Sequence, residues 1–545
     1  MSTNNVSVDV LVVGCGFGGI NAVYRTSQLG LTVRGIDVAG DVGGTWYWNL
    51  YPGAMSDTES YLYRYSWDKD DLQTYPWSNR YLYQPEIIAY LRHVVEKHNL
   101  RRFMQFGIEM QSAQWDDAAG KWIVRCKTTA DGAEVVFAAK YLINSLGVLS
   151  RPHYPDIPGR DTFAGRIVHT ASWPSDLVLE GKKVGVIGNG STGLQVMTAI
   201  APFVGKLTSF QRHPQYSVPS GQRPISAEER RAINKDYDAI WERVKSSYVG
   251  FGIVESSRKT MEATPAERTA LFQEAWDAGN GFRFMFGTFG DLGVDRAANE
   301  EACRFLHGKI DELVKDPRKA AILKPRELYA RRPVCDTGYY SIFNRENVDV
   351  VDLAATPITR IVPGGVETAA SADGGSATVH DLDVLVFATG FDAVEGSYQR
   401  VAYTGRSGET LARHWTGGPT AYGAVACSGF PNMFLVSGPQ GPFANFPPVI
   451  ESELDLIVAC INAAESKGAV VEAKRDAEDG WSTQCRDIAK ATLFWGTASW
   501  IFGTNLDGRE PTANFFLGGL GAYREWMQTV LQKDLEGFQL HPKGV

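Results

Sequence analysis

Two short glycine-rich stretches carry the first chemistry in this 545-residue chain: Gly14-Cys15-Gly16-Phe17-Gly18-Gly19 and Gly188-Asn189-Gly190-Ser191-Thr192-Gly193. A GxGxxG spacing says little alone. Its value depends on a strand before it, a helix after it, and what ends the next strand. Val8–Val13 precedes the first turn as a β-branched run, Ile20–Leu29 follows with a helical pattern, and Thr32–Asp37 reads as the second strand. Asp37 therefore stands at the place where an acid binds a ribose. Gly14 allows the tight turn, Gly16 lets backbone N–H groups approach a pyrophosphate, and Gly19 lets helix pack on strand. The helix N-terminus then faces the anion.

The second stretch repeats the plan. Lys183–Ile187 reads as a strand, Leu194–Ile200 as a helix and Lys206–Gln211 as the next strand, which ends in Gln211-Arg212-His213. Arg212 replaces the acid. An acid would repel a 2′-phosphate, whereas a guanidinium grips one with two hydrogen bonds. The first site is thus read as binding FAD and the second NADPH, with hydride passing between them. Disulfide reductases need a dithiol beside the flavin. None of the seven cysteines forms a CxxC pair, which also argues against zinc. Oxygen is then the natural electron acceptor, and no metal is implied.

These elements set the organisation. The length suggests about three to four structural units. Residues 1–150 read as the first part of an FAD-binding domain and 151–215 as the first part of an NADPH-binding domain. A helical insert covers 216–327, and the two domains resume at 328–387 and 388–545. The fold class is α/β, with two Rossmann-like dinucleotide-binding domains. Within them, 42–66 reads as structured loop, Ile87–Lys97 as helix, Lys121–Cys126 with Glu134–Ala138 as a hairpin, and Tyr141–Asn144 as a separate strand. Ala227–Val244 and Ala266–Trp276 carry helical patterning, Val348–Val351 and Val384–Ala388 read as strands, and Glu451–Ala464 as an amphipathic helix. Ser150–Pro158, with three prolines, reads as a linker. Hydrophobic residues are 44% and charged residues 21% of the chain, which excludes a disordered tail protein. A net charge of −8 makes nonspecific nucleic-acid binding unfavourable. No basic n-region or long apolar run opens the chain, so a cytoplasmic protein off the membrane is expected.

Further segments carry a resemblance. Phe163-Ala-Gly165-Arg-Ile-Val-His169-Thr-Ala-Ser-Trp173-Pro174 resembles the FxGxxxHxxxW[P/D] fingerprint of Baeyer–Villiger monooxygenases. Gly43-Gly44-Thr45-Trp46-Tyr47-Trp48-Asn49 resembles the family's flavin loop, Arg331-Arg332-Pro333 with Tyr339-Tyr340 its Lys-Arg segment, and Ala388-Thr389-Gly390-Phe391-Asp392 its second linker. Segments 281–286, 438–443 and 499–503 are most similar to the cyclohexanone-oxidising branch. The resemblance covers nearly the whole chain.

The resemblance implies a cycle in which NADPH reduces FAD and the reduced flavin forms a C4a-peroxide with oxygen. The peroxide attacks a ketone, and the tetrahedral adduct rearranges to an ester or lactone. It implies Arg332 as the cation that stabilises the anionic adduct, with Asp57 as its partner. A guanidinium is a permanent cation, which suits that task. It also implies Gly44, Thr45, Trp46 and Tyr63 around the flavin, beside Phe17 and Gly18 of the first turn. Thr192 should meet the pyrophosphate with Gly188, Gly190 and Gly193, Arg331 the 2′-phosphate, and Trp500 the nicotinamide side. Phe284, Phe443 and Phe446 are the expected pocket wall. His169 is expected to serve a hinge between domains rather than act as a base. The small-molecule partners are a ketone and oxygen, with no obligate protein partner evident. Leu50, Ser145-Leu146-Gly147 and Phe446 depart from the family pattern, which touches pocket size and substrate preference. The rivals are a flavin monooxygenase oxidising amines or thioethers, and a non-enzymatic nucleotide sensor, which would need no Arg332.

Overall fold

The computed structural model describes residues 4–371, 374–506 and 508–542. Its two glycine turns each leave a largely parallel sheet. In the first sheet Asn4–Val13 pairs in parallel with Val33–Asp37 on one side and with Glu134–Asn144 on the other. Met104–Phe106 extends it beyond Val33–Asp37, and Met433–Leu435 joins along Leu142–Asn144. The second sheet runs Arg166–His169, Val384–Phe387, Lys183–Ile187, Lys206–Gln211, Val348–Asp352, all parallel. Strands covered on both faces need apolar side chains on both, so the central ones read as unbroken runs. Leu11, Val12, Val184 and Val186 are fully buried accordingly.

The two turns share one local geometry. Gly14 and Gly188 have φ of 96° and 102°, in the left-handed region that side chains avoid. A Cβ on Gly14 would lie 2.2 Å from the Ser145 carbonyl oxygen, and one on Gly188 would lie 2.4 Å from that of Ala388. The helices Phe17–Ser27 and Ser191–Ile200 then start directly at the turns.

Some elements differ from their sequence signatures. Glu134–Asn144 is one strand, not a hairpin arm followed by a separate strand. It pairs antiparallel with Lys121–Thr128 and parallel with Asn4–Val13, so it joins hairpin to sheet. The 42–66 loop contains a short helix, Thr45–Trp48, and a strand, Met55–Glu59, that pairs with Tyr81–Tyr83. The patterned stretch from Ala227 breaks at Asp236 into Ala227–Lys235 and Tyr237–Ser246. The helix seen from Glu451 begins at Phe446, since Pro447 and Pro448 sit in its first turn, where a missing N–H costs nothing. Among the described residues, no helix is long and apolar enough to cross a membrane.

Three connections matter for the site. Arg151–Pro152 and Phe391–Asp392 pair antiparallel, so the two linkers form one ribbon. Ser217–Pro219 pairs with Val334–Asp336, which fixes the chain just after Arg331-Arg332. Leu62 and Leu72 pack with Tyr237, Trp241 and Val244, holding the helical segment against the loop that follows Asp57.

Candidate active site

A cavity of about 670 Å³ opens between the sheets. Its wall takes Thr45, Trp46, Asp57 and Tyr63 from the first sheet's loops, and Gly188, Gly190, Thr192 and Arg212 from the second sheet. Arg331, Arg332, Phe443, Phe446 and Trp500 complete it. Residues separated by hundreds of positions thus share one concave surface, the usual form of a small-molecule site.

Arg332 is anchored through one nitrogen. Its Nη1 forms an ion pair with Asp57 Oδ2 at 2.6 Å, and donates to Ser191 Oγ at 3.1 Å and to the Pro333 carbonyl at 3.1 Å. Its guanidinium carbon also lies 5.3 Å over the Phe282 ring. Nε and Nη2 have no protein acceptor among the described residues, so three N–H groups are left for a ligand oxygen. The other Asp57 oxygen, Oδ1, is buried without a partner. One Asp57 oxygen thus does the anchoring, and the adjacent Thr58 hydroxyl donates to Asn445 Oδ1 at 3.0 Å.

Arg331, the preceding residue, faces another way. It lies 3.4 Å from Glu327, and its Nε is buried without an acceptor. Burial draws its guanidinium below the usual arginine value, Glu327 opposes that, and nearby Arg212 adds to it. Two crowded cations with one unspent N–H are what a phosphate dianion would relieve. Glu327 also pairs with His213 at 2.7 Å.

The residues fit both dinucleotides. At the second turn, a Cβ built on Gly190 meets nothing within 4 Å, so backbone N–H groups face open cavity beside a helix N-terminus. At the first turn, Gly16 and Gly44 approach so closely that a Cβ on Gly44 would lie 2.8 Å from the Gly16 Cα. Asp37 is almost buried. Its two oxygens accept the N–H groups of Cys15 at 2.6 Å and Ala39 at 2.8 Å, and burial raises its pKa. The acid therefore fixes the turn itself. Trp46 Nε1 donates to the Tyr63 hydroxyl at 2.9 Å, and burial pushes Tyr63 up to about 12.

The other sequence-derived candidates fall in distinct places. The Phe17 ring packs against Tyr63 and Tyr65. Gly18 faces Ser145 and Val436, and Gly19 and Gly193 close their own turns against Gly14 and Gly188, so each serves helix packing. Gln211 is buried; it accepts from Asn189 Nδ2 at 3.1 Å and donates to the Ile322 carbonyl at 2.9 Å, bracing the second turn from behind. The Trp500 ring lies against Phe443 and Phe515. Phe284 is not on the wall. It is fully buried, stacked with Phe272 and Phe305, and Phe282 takes the wall position instead. Two residues apart on a helical turn is roughly half a turn, so the pair must face opposite ways. Leu149, Phe251 and Phe515, which the motifs did not mark, also line the cavity. His169 lies outside it, buried between Tyr154 and Phe391 of the linker ribbon. Its Nδ1 accepts the Ala171 N–H, and burial lowers its pKa to about 4. All seven cysteines are buried free thiols.

Known proteins sharpen this picture. A model for pyridine nucleotide-disulphide oxidoreductases matches residues 8–249, which span both turns. The chain is 46% identical over 535 residues to the phenazine N-monooxygenase PhzNO1 of Lysobacter antibioticus, covering 98% of this chain and 97% of that one. It is 44% identical over 533 residues to a Baeyer–Villiger monooxygenase of Pseudooceanicola batsensis, covering 97% and 96%. The NADP+-bound crystal structure of cyclohexanone monooxygenase from Rhodococcus sp. Phi1 superposes with a TM-score of 0.95 at 49% identity, over 99% of this chain and 100% of that one.

Proposed function

Because the chain belongs to the Baeyer–Villiger monooxygenase family and is an FAD-containing, NADPH-dependent flavin monooxygenase, we propose that it inserts one oxygen atom beside the carbonyl of a cyclic ketone to give a lactone. When bound, NADPH supplies the hydride and FAD the activation of oxygen. The observation that carries the proposal is the Arg332–Asp57 pair on the wall of a cavity lined by the second nucleotide turn and by Thr45 and Trp46 of the loop packed on the first.

The protein's part is charge and placement. Arg332, anchored through Nη1, offers Nε and Nη2 to negative charge that grows on the carbonyl oxygen. Donors fixed beforehand need no reorganisation as that charge appears. Asp57 holds the guanidinium in register. Phe443, Phe446, Phe282 and Trp500 present apolar wall, which favours alicyclic rings at ~0.8 kcal/mol per buried CH₂ and offers little to charged substrates. Arg331 and Arg212 hold the coenzyme by its 2′-phosphate.

NADPH consumption with product analysis, over ketones from cyclobutanone to large rings with open-chain and aryl ketones alongside, tests this reading. Cyclohexanone-sized rings should yield lactones. Turnover of only open-chain or aryl ketones would remove the cyclic-ketone assignment. The similarity to a phenazine N-monooxygenase favours a second reading, oxygen transfer to a ring nitrogen. Phenazine in the same panel separates the two, since it would yield an N-oxide.

A further inference from the structure

Arg332 is held by two distant stretches of chain and by its own neighbour, and its contacts are unequal. Nη1 donates its two hydrogens to Ser191 Oγ and the Pro333 carbonyl, and forms an ion pair 2.6 Å from Asp57 Oδ2. The ion pair is set by charge, and the Pro333 carbonyl is fixed by the chain. Ser191 Oγ is the adjustable one. It is also the only one of the three on the second glycine turn, as the first residue of helix Ser191–Ile200, directly after the open position at Gly190.

The same helix grips the segment that carries Asp57. One turn beyond Ser191, Gln195 accepts from the Tyr51 hydroxyl at 2.8 Å and donates to the Met55 carbonyl at 3.0 Å. Ser191 and Gln195 thus address both halves of the Arg332–Asp57 pair from one helix face. A hydroxyl can accept and donate at once. While Ser191 Oγ accepts from Arg332, its proton remains free for a phosphate oxygen at the helix N-terminus.

We propose that Ser191 is a positioning residue that couples coenzyme binding at the second turn to the placement of Arg332, its single oxygen bridging guanidinium and phosphate. This rests on the reading of Arg332 given above.

The test is a double-mutant cycle on NADP+ affinity, measured by calorimetry on the FAD-loaded protein with Ser191→Ala, Arg332→Ala and both. Alanine is a good helix former, so the helix should persist. Each single change should weaken NADP+ several-fold. The double variant should bind about as the weaker single does, a coupling of roughly three- to ten-fold. A product per NADPH ratio reduced at least about two-fold in Ser191→Ala, with the missing equivalents found as hydrogen peroxide and Ser191→Thr restoring the ratio, would support the same link. Independent effects that multiply, or full coupling of NADPH to product in Ser191→Ala, would overturn it. If Arg332→Ala still formed product, the underlying reading of Arg332 would fail. If Arg332→Ala lost product while the cycle showed no coupling, only the role of Ser191 would fall.

Discussion

At the first glycine turn a Cβ on Gly16 would sit 3.2 Å from Gly44, and both oxygens of Asp37 are engaged by backbone N–H groups. At the second, Gly190 faces open cavity, and Arg331 keeps an N–H without an acceptor. The strand, turn and helix are alike in both, down to the φ of Gly14 and Gly188. What encloses them differs. A turn roofed by a second loop suits a cofactor that stays, whereas a turn open to a cavity suits one that arrives, reacts and leaves. The same local unit thus sits in two different surroundings, set by its neighbours.

The comparison is most sharply tested at the shared residues. Gly14→Ala should strain the backbone and drive Cβ into Ser145, so purified protein should retain less than about a tenth of its flavin and melt earlier. Gly188→Ala should keep its yellow colour yet raise the NADPH KM by roughly 100-fold. Flavin absorbance per protein and steady-state kinetics read both. Equal flavin loss in the two would end the distinction between a resident and a visiting cofactor.

A smaller effect is expected from the charges at the open turn. Arg212→Ala or Arg331→Ala should each lower the preference for NADPH over NADH by roughly ten- to a hundred-fold, the loss of a charge-assisted contact worth ~1.5–3 kcal/mol. Ratios of kcat/KM for the two coenzymes check this, and flavin content should stay constant.

On the closed side, Glu453 accepts the Ser437 N–H at 2.7 Å, and complete burial pushes its pKa from 4.5 up to about 8. Between those values the unfolded chain releases a proton that the native protein keeps, so stability falls as pH rises through the window. Glu453→Gln removes that loss. Its melting temperature relative to the parent should climb from pH 5 to pH 9, by the equivalent of a few kcal/mol at most. A gap constant with pH would show that Glu453 is ionised in the fold.

The smallest expected change is at the wall between the two turns. Phe446→Leu should widen the cavity and shift relative kcat/KM toward rings one or two CH₂ larger by roughly three- to ten-fold, at ~0.8 kcal/mol per CH₂. Unchanged ring-size preference would place specificity on Phe282 or Phe251 instead.

How far the site was legible varies residue by residue. Gly14 and Gly188 could be read from their own surroundings, because strand, tight turn and helix are consecutive in sequence. Arg212 could be read because it ends the strand next to its turn. Phe284 and Phe282 could not be told apart: both are aromatic, and the wide π-type turn at Arg283–Gly287 sets which face looks inward. Leu149, Phe251 and Phe515 belong to no motif and reach the wall only through packing. Asp37 was legible as an acid in the right place, but not as one already bonded to Cys15 and Ala39.

By itself the sequence determined two dinucleotide units, the sign of charge beside each, and the absence of a CxxC pair, since these rest on spacing and residue type. The resemblance of its motifs brought Arg332 and Asp57 forward. Tertiary structure alone decided that Arg332 hangs from one nitrogen, that Ser191 shares it, and that one turn is roofed while the other stays open. Those features depend on contacts between segments tens to hundreds of residues apart, whose geometry arises only when sheets, loops and helices pack together.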